Sequence, residues 1–322
     1  MIDDLKKLLN GMVDEPIESI QLAKGSYSNQ AFKIQLKNKI LYLWLNKYHI
    51  SHKKKRQIFM LEILGENGLI VPKILQHGNF QYNNQSTEFI LTEGMKGSNL
   101  GIYLENNVEN LPRIFFKMGK TLKKIHSIRT NEKIGYINAS TVFNWKDFLR
   151  IRIDKWICEI KKQRICINGM SNYLVVLRKY FHYLIDEMRE SNNLALLHGD
   201  FYPNNIVVDF ASEERIGILD FEWSLIGDPI YDFRVLEMFI FPQFKYKEIF
   251  YRGYGINPEI FQKNMLIYLQ IYKLELAYLL ILSTPNRISE SIEFIQELYN
   301  TAIKFISKED GEVWSISNLL NL

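Results

Sequence analysis

The hydrophobic pattern of this chain changes character near residue 94, and that change limits the folds it can adopt. Before this point, apolar residues alternate with polar ones or form short runs bounded by turn residues, as strands do. Beyond it, they recur mainly at helical spacing. The sequence therefore predicts an α+β protein with a small antiparallel-sheet lobe, residues 1–94, and a larger, mainly helical lobe, residues 95–322. A ligand-sized cleft is expected where the lobes meet.

The individual elements follow from the same periodicities. In the first lobe a helix is predicted at 54–66, and strands are predicted at 17–22, 31–36, 40–45, 71–75 and 88–92. In the second lobe helices are predicted at 113–125, 144–160, 172–190, 231–239, 258–280 and 289–306. A strand-rich island between residues 196 and 219 interrupts these helices.

The composition is that of an ordinary globular protein, with 47% hydrophobic and 24% charged residues over 322 positions. A net charge of +4 is too small to indicate a nucleic-acid binder. We interpret the basic run 53–56 as the solvated start of the first-lobe helix rather than as a nucleic-acid or membrane patch. Two cysteines, no recognisable signal peptide and no apolar run of about 18 residues predict a cytoplasmic protein without a membrane partner.

The strongest chemical signal comes from Asp200, Asn205 and Asp220, which follow one another at intervals of five and fifteen residues. Two short apolar runs flank the polar turn 209–215, so a hairpin is expected to bring Asn205 beside Asp220. Amide and carboxylate oxygens are ligands that Mg²⁺ prefers, and Asp200 is placed to take a proton from an acceptor hydroxyl. Asp or Asn before a hairpin is also common turn chemistry, which is the structural alternative.

The spacing of these three residues is the kinase pattern of a catalytic-loop aspartate, an asparagine and a later metal-binding aspartate. The His-Gly-Asp segment 198–200, with Pro203 two residues before Asn205, resembles the aminoglycoside phosphotransferase and choline kinase-like family. The segment 227–233 resembles that family's Gly-Asp-Pro-x-Tyr-Asp segment, and residues 118–126 resemble its Leu-x-x-Leu-His helix. The resemblance covers roughly residues 20–235 and implies a bilobal, protein-kinase-like fold.

This resemblance implies a role for each matching residue. Asp200 would be the catalytic base, Asn205 and Asp220 would hold Mg²⁺, and His198 and Asp232 would support the catalytic loop. ATP or GTP would be the phosphoryl donor. The nucleotide would contact two backbone segments, a glycine loop and an interlobe hinge, which correspond here to Gly25, Ser26 and Asn29 and to Thr92, Glu93 and Gly94.

The sequence departs from the family where kinases place a lysine–glutamate pair on the nucleotide phosphates. The lysine position falls on Trp44, and the glutamate position falls on Gln57, or on Glu62 if the alignment is one turn off. Lys47 would face the opposite side of a continuous strand. Other candidates for the missing cation are Lys24, Lys33 and, if the strand has a bulge, Lys47.

Together these features predict a magnesium-dependent phosphotransferase that moves the γ-phosphoryl group of ATP or GTP to a hydroxyl of a small molecule. The acceptor stays open between an aminoglycoside or other antibiotic and a choline-, sugar- or homoserine-like metabolite. A cationic acceptor would need acidic side chains, and the helical lobe offers Asp154, Glu159, Glu222, Glu237 and Glu275.

Two other functions compete with this one. A nucleotide-binding pseudokinase with a regulatory or scaffolding role would explain the missing lysine and glutamate. A protein-directed kinase is disfavoured, because the stretch from Asp220 to Gly227 leaves little room for a regulated activation loop. The sequence does not indicate an oligomeric state.

Overall fold

The computed structural model of the chain describes the following residues: 2–23, 30–46, 51–82, 85–105, 110–139, 142, 144–163, 170–191, 193–212, 215–257, 262–283 and 287–306. Within them, an antiparallel sheet comes first and a mainly helical lobe follows. The predicted α+β class is confirmed. The boundary between residues 94 and 95 remains a prediction, and it lies just beyond the strand that ends at Glu93.

Five antiparallel strands form the sheet of the first lobe, in the order β1-β2-β3-β5-β4. Helix α1 precedes the sheet, and helix α2 joins β3 to β4. The bounds are α1 Ile2–Leu9, β1 Ile17–Leu22, β2 Gln30–Leu36, β3 Ile40–Leu45, α2 Ser51–Glu66, β4 Ile74–Tyr82 and β5 Gln85–Glu93.

Alternation along β3 gives the sheet two different faces. Leu5 and Leu9 of α1 share one hydrophobic cluster with Leu41 and Leu43 of β3, so α1 covers the face that carries the odd-numbered residues of this strand. Trp44 therefore lies on the face opposite α1. A lysine that binds the nucleotide would also lie on the face away from α1. The correspondence of Trp44 with the family lysine stays a prediction.

The second lobe is built from helices around two hydrophobic clusters. Helices α5, α6, α8 and α9 surround one cluster, and α4 and α7 contribute to the other. Met60 and Leu64 of α2 belong to this second cluster, so one face of α2 packs against the helical lobe. The helices are α3 Leu100–Leu104, α4 Leu111–His126, α5 Trp145–Lys162, α6 Met170–Glu187, α7 Lys247–Tyr254, α8 Gln262–Ser283 and α9 Ile288–Ile306.

Two small antiparallel sheets carry the loops between these helices. One has the order β10-β9-β6 and the other the order β7-β11-β8. Their strands are β6 Ser98–Asn99, β7 Gly135–Tyr136, β8 Ala195–Leu197, β9 Ile206–Asp209, β10 Arg215–Ile218 and β11 Leu225–Gly227. The predicted hairpin is confirmed as β9–β10, with Ile206 opposite Ile218.

The elements differ from the predictions in several places. The fourth strand starts at Ile74 rather than at residue 71 and continues to Tyr82; proline at position 72 cannot donate an amide to a ladder. The predicted helix 231–239 is instead a 3₁₀ turn, Pro229–Phe233, followed by a π-helical turn, Leu236–Ile240. The sequence does not predict the short helices α1, α3 and α7 or the short strands β6, β7 and β11.

One described helix, α8, contains a stretch that is long and apolar enough to cross a membrane on length and composition alone, Lys263–Leu282. Half of that stretch is buried inside the protein. It also carries Glu275, whose buried carboxylate pairs with Arg152 and Arg234. These contacts are those of a core helix of the helical lobe.

Candidate active site

A sharp backbone turn between β8 and β9 presents the predicted catalytic residues. Gly199 adopts a left-handed conformation with φ of 84°, which favours glycine. A Cβ atom at this position would also lie far inside van der Waals contact of the Trp223 carbonyl oxygen. The His-Gly-Asp sequence is therefore required by the backbone path as well as by chemistry.

Asp200 and Asn205 are in contact across this loop. The Asn205 side-chain amide donates to the Asp200 carboxylate at 3.0 Å and to the Asp200 carbonyl at 2.9 Å. Burial raises the pKa of Asp200 to about 6, although the charge of Arg234 and the Asn205 hydrogen bond act in the opposite direction. A carboxyl group with this pKa is mostly ionised at neutral pH and can still accept a proton.

His198 connects the catalytic loop to the segment that carries Asp220. Its Nδ1 accepts from the Asp200 amide at 3.2 Å, so Nε2 carries the proton and donates to the Leu219 carbonyl at 2.9 Å. Burial lowers the pKa of His198 to about 4, which keeps the imidazole neutral and in this tautomer. The predicted supporting role of His198 agrees with this geometry.

Asp232 fixes the start of the loop between β8 and β9 through hydrogen bonds to its backbone. Its two carboxylate oxygens accept from the backbone amides of His198 and Gly199, each at 2.7 Å. His126 donates from Nε2 to the same carboxylate at 3.0 Å, with its Nδ1 2.7 Å from the Tyr254 hydroxyl. Burial alone would raise the pKa of Asp232, but the His126 hydrogen bond and nearby positive charges hold it below its ordinary value. His126 is therefore a buried, hydrogen-bonded histidine that positions Asp232.

Asp220 lies directly beside the Asn205 backbone, because the Leu219 amide donates to the Asn205 carbonyl at 2.8 Å. Its own backbone is left-handed, with φ of 59°. Burial and the neighbouring charges of Glu222 and Asp200 raise the pKa of Asp220. A divalent cation would offset the repulsion between these buried carboxylates. The Asp220 carboxylate and the Asn205 amide oxygen are also ligands of the kind that such a cation prefers. The residues present thus fit a Mg²⁺ ion.

The first turns of α2 contact the segment that follows Asp220, and this corrects one interpretation. Lys53 and Arg56 are only 6% and 5% exposed, so the basic run is not a solvated helix start. Lys53 forms an ion pair with Glu222, at 3.2 Å, and Arg56 donates to the Glu222 carbonyl oxygen. The Gln57 side chain accepts from the Phe221 amide at 2.7 Å. The two cations are buried because each finds an acceptor there.

The sequence carried a signal for this inward face. Lys53 and Gln57 lie seven and three residues before Met60, which is buried, so all three share one stripe of the helix. Glu62 is exposed and lines the wall of a surface pocket against residues 69–77. Of the two candidates for the helix glutamate position, Gln57 is the one that contacts the site.

The predicted nucleotide contacts are only partly covered by the described residues. Gly25, Ser26 and Asn29 lie outside them. At the predicted hinge, Thr92 is buried, and the backbone amides of Glu93 and Gly94 donate to the carbonyls of Lys73 and Ile40 at 2.9 and 2.8 Å. A base contact from Glu93 or Gly94 would therefore come from a carbonyl oxygen.

The five acids considered for a cationic acceptor are all paired within the protein. Two of them, Glu222 and Glu275, are near enough to Asp200 for their charges to act on its pKa. Glu222 is paired with Lys53, and Glu275 is paired with Arg152 and Arg234. The other three form ion pairs with their own cations: Asp154 with Arg178, Glu159 with Lys162, and Glu237 with Lys247.

A two-lobed α+β fold with Asp200, Asn205 and Asp220 on adjacent loops defines the class of kinase-like phosphotransferases. The sequence profile of the phosphotransferase enzyme family matches residues 19–260. The chain belongs to this family, an enzyme family of small-molecule kinases, and the resemblance drawn from the motifs is confirmed.

Known proteins with similar structures agree with this assignment. A thermostable mutant of aminoglycoside phosphotransferase APH(4)-Ia, in ternary complex with AMP-PNP and hygromycin B, matches with a TM-score of 0.71 at 16% identity, over 92% of this chain and 97% of that one. A putative fructosamine-3-kinase from Haemophilus somnus matches with a TM-score of 0.64 at 15% identity, over 92% and 97% of the two chains. The protein-kinase-like fold is therefore confirmed.

Acyl-CoA dehydrogenase family member 10 from Mus musculus is a relative in sequence, 22% identical over 243 residues. The match covers 71% of this chain and 21% of that protein. The chain thus spans about a fifth of the length of this relative.

Proposed function

We propose that this protein transfers the γ-phosphoryl group of ATP or GTP to a hydroxyl group of a small molecule, with Asp200 as the base. The observation that carries the proposal is the hydrogen-bonded arrangement of Asp200 with Asn205, next to Asp220. The similar structure that holds AMP-PNP supports a nucleoside triphosphate as the donor. We assign the chain to the catalytic class rather than to the pseudokinases because this set is complete.

The residues supply positioning and a proton acceptor. As the acceptor oxygen bonds to the γ-phosphorus, the bond to the bridging β–γ oxygen breaks, and the hydroxyl proton passes to the Asp200 carboxylate. Asn205 turns its amide nitrogen toward Asp200, so the amide oxygen can face a cation. With Asp220 it would hold Mg²⁺, which neutralises charge on the phosphates when bound. His198 and Asp232 fix the loop on which Asp200 lies.

The paired acids narrow the proposed acceptor. A polycationic antibiotic needs unneutralised carboxylates, and Glu222 and Glu275, whose charges act on Asp200, are already paired with lysine or arginine. Of the two similar structures, one is a complex with the aminoglycoside hygromycin B, and the other is a putative fructosamine-3-kinase. Proteins with this fold are therefore associated with both aminoglycoside and sugar-like molecules. We propose an uncharged or weakly charged hydroxylated molecule as the acceptor.

The test compares phosphate transfer by wild type, Asp200→Ala and Asp209→Ala. Asp209 is a matched control, since its carboxylate accepts from the Ala211 amide in the exposed β9–β10 turn. A panel of sugars, choline, homoserine and aminoglycosides is incubated with ATP or GTP and magnesium, and phosphorylated product is detected by mass spectrometry. Asp200→Ala should lose transfer by at least about a hundredfold, while Asp209→Ala retains it.

Two results would count against the proposal. Full transfer by Asp200→Ala would show that the base is a different group. Magnesium-dependent nucleotide binding with no transfer to any member of the panel, and with equal behaviour of both variants, would favour the pseudokinase function instead.

A further inference from the structure

We propose that Lys53 of α2 binds the nucleotide phosphates and supplies the charge that kinases usually take from a lysine on the third strand. The inference rests on the proposed function. In the predicted alignment, Trp44 occupies the position of that strand lysine. A lysine ammonium is a compact charge with three donors, which suits a phosphate group.

The position of Lys53 carries the proposal. Its ammonium lies 3.2 Å from a Glu222 carboxylate oxygen and 4.8 Å from the centre of the Trp223 ring. Glu222 follows Asp220 by two residues, and its amide lies 3.5 Å from an Asp220 carboxylate oxygen. The ammonium is therefore one side chain away from the proposed metal ligand, where the phosphates of a bound nucleotide would lie.

Helix α2 is fixed in this position by bonds other than that of Lys53. Gln57, one turn further on, accepts from the Phe221 amide, and Arg56 donates to the Glu222 carbonyl. Met60 and Leu64 continue the same side of the helix into the core of the helical lobe. Because these contacts already hold the helix, the Lys53–Glu222 pair is not needed to dock it.

A buried ion pair is weak evidence for a stabilising role, since desolvation offsets much of the attraction between the charges. At this site a functional role accounts for it better. Glu222 holds the Lys53 ammonium in place, and a polyanionic triphosphate would bring further negative charge to the same ammonium. The pair would then correspond to the lysine–glutamate pair of kinases, with the lysine on the helix and the glutamate beyond the metal-binding aspartate.

The other lysines considered for this role can be compared with Lys53. Lys33 pairs with Tyr42 across β2 and β3, on the same sheet face as Trp44, and it is the main competitor. Lys54, next to Lys53, instead binds Glu88, Asn79 and the Gly78 carbonyl on the sheet lobe. Lys24 and Lys47 lie outside the described residues.

The experiment measures nucleotide binding in variants chosen so that removing Lys53 does not leave Glu222 as an unpaired buried carboxylate. Glu222→Gln serves as the background, and Lys53→Met/Glu222→Gln differs from it only at residue 53. Lys54→Met/Glu222→Gln is the matched control, and Lys33→Met/Glu222→Gln tests the competitor. Isothermal titration measures the Kd of ATP, ADP and adenosine with magnesium, or of the guanosine series if wild type prefers GTP.

Loss of one charge-assisted hydrogen bond should weaken ATP binding about ten- to a hundredfold in Lys53→Met/Glu222→Gln relative to its background. The loss should be smaller for ADP and absent for adenosine, whereas damage to the fold would weaken all three alike. Lys53→Arg in the same background should recover most of the affinity, and the Lys54 control should match the background.

Unchanged ATP affinity in Lys53→Met/Glu222→Gln would overturn the inference, as would an equal loss for ATP and adenosine. A phosphate-dependent loss in the Lys33 variant alone would assign the charge to β2 and overturn it too. If wild type itself bound no nucleotide with magnesium, the proposed function would fail, and that result is distinct from failure at Lys53.

Discussion

Asp232 gives the sharpest test of how the catalytic loop is held. Replacing it by asparagine keeps the side-chain shape and one acceptor oxygen but turns the other oxygen into a donor. Because the two oxygens accept separately from the His198 and Gly199 amides, one amide loses its partner. The charge that accepts from His126 Nε2 is lost at the same time.

The cost can be worked from these contacts. A hydrogen bond from an amide to a charged acceptor contributes about 1.5–3 kcal/mol, so we expect Asp232→Asn to lower the free energy of unfolding by about 2–4 kcal/mol at pH 7. For a protein with a total of about 5–15 kcal/mol, this is a large fraction. In urea the midpoint should fall by about 1 M or more. Phosphate transfer should fall with it, since Asp200 is one residue beyond the tethered amides.

The effect should also depend on pH in one direction. The folded pKa of Asp232 lies below its ordinary value of 3.8, so the carboxylate contributes its full stability above that pH. The contribution is lost as the pH falls through the folded pKa. The difference between wild type and Asp232→Asn should therefore be constant above about pH 5 and shrink below about pH 4.

Urea unfolding followed by tryptophan fluorescence and by circular dichroism measures this difference, and coincident transitions would justify a two-state analysis. Asp209→Asn is the control, because among the described residues Asp209 accepts from an exposed amide, that of Ala211. Equal stability of wild type and Asp232→Asn at pH 7 would refute the reasoning, since it would show that the two amides have other acceptors.

Two further predictions concern the same loop. Gly199→Ala should destabilise the fold by about 3 kcal/mol or more and abolish transfer, because φ is 84° and the new Cβ would collide with the Trp223 carbonyl. Gly11→Ala is the control in the same thermal melt and should be nearly neutral, since there is open space around its Cβ. Equal melting temperatures of the two variants would contradict the backbone path at Gly199. His198 should titrate near pH 4 in two-bond ¹H–¹⁵N spectra, and it should show the Nε2–H tautomer at pH 6. Because the folded pKa lies below the ordinary 6.5, His198 should reduce stability as the pH falls from about 6.5 to 4; a titration above pH 6 would contradict its burial.

Much of the fold was readable from local pattern. The strands β1 to β3 were predicted almost to the residue, because alternation and turn residues are local signals. The β9–β10 hairpin followed from two apolar runs around a polar turn, and it placed Asn205 beside Asp220 as expected. The roles of these residues as base and metal ligands remain predictions, since spacing shows proximity and not activity.

The parts of the fold that local pattern does not predict depend on contacts between distant segments. Consecutive residues of a helix point about 100° apart, so a run of four cations cannot all face solvent when one side of the helix is packed. Which of them face inward depends on what lies beneath, and Glu222, Trp223 and the carbonyl of Ile137 are far away in sequence. Local pattern also fails to predict the 3₁₀ and π-helical turns after Pro229. Their departure from a regular helix accompanies tertiary contacts, which hydrophobic periodicity does not encode.

The attachment of α2 to the segment after Asp220 has a consequence for motion. The Phe221 amide, the Glu222 carbonyl and the Glu222 carboxylate are all bonded to this one helix. Moving α2 outward would break these three bonds at once, two of them buried, so this movement would be costly in free energy. We therefore expect α2 to stay attached to the segment after Asp220 when the cleft opens for nucleotide exchange.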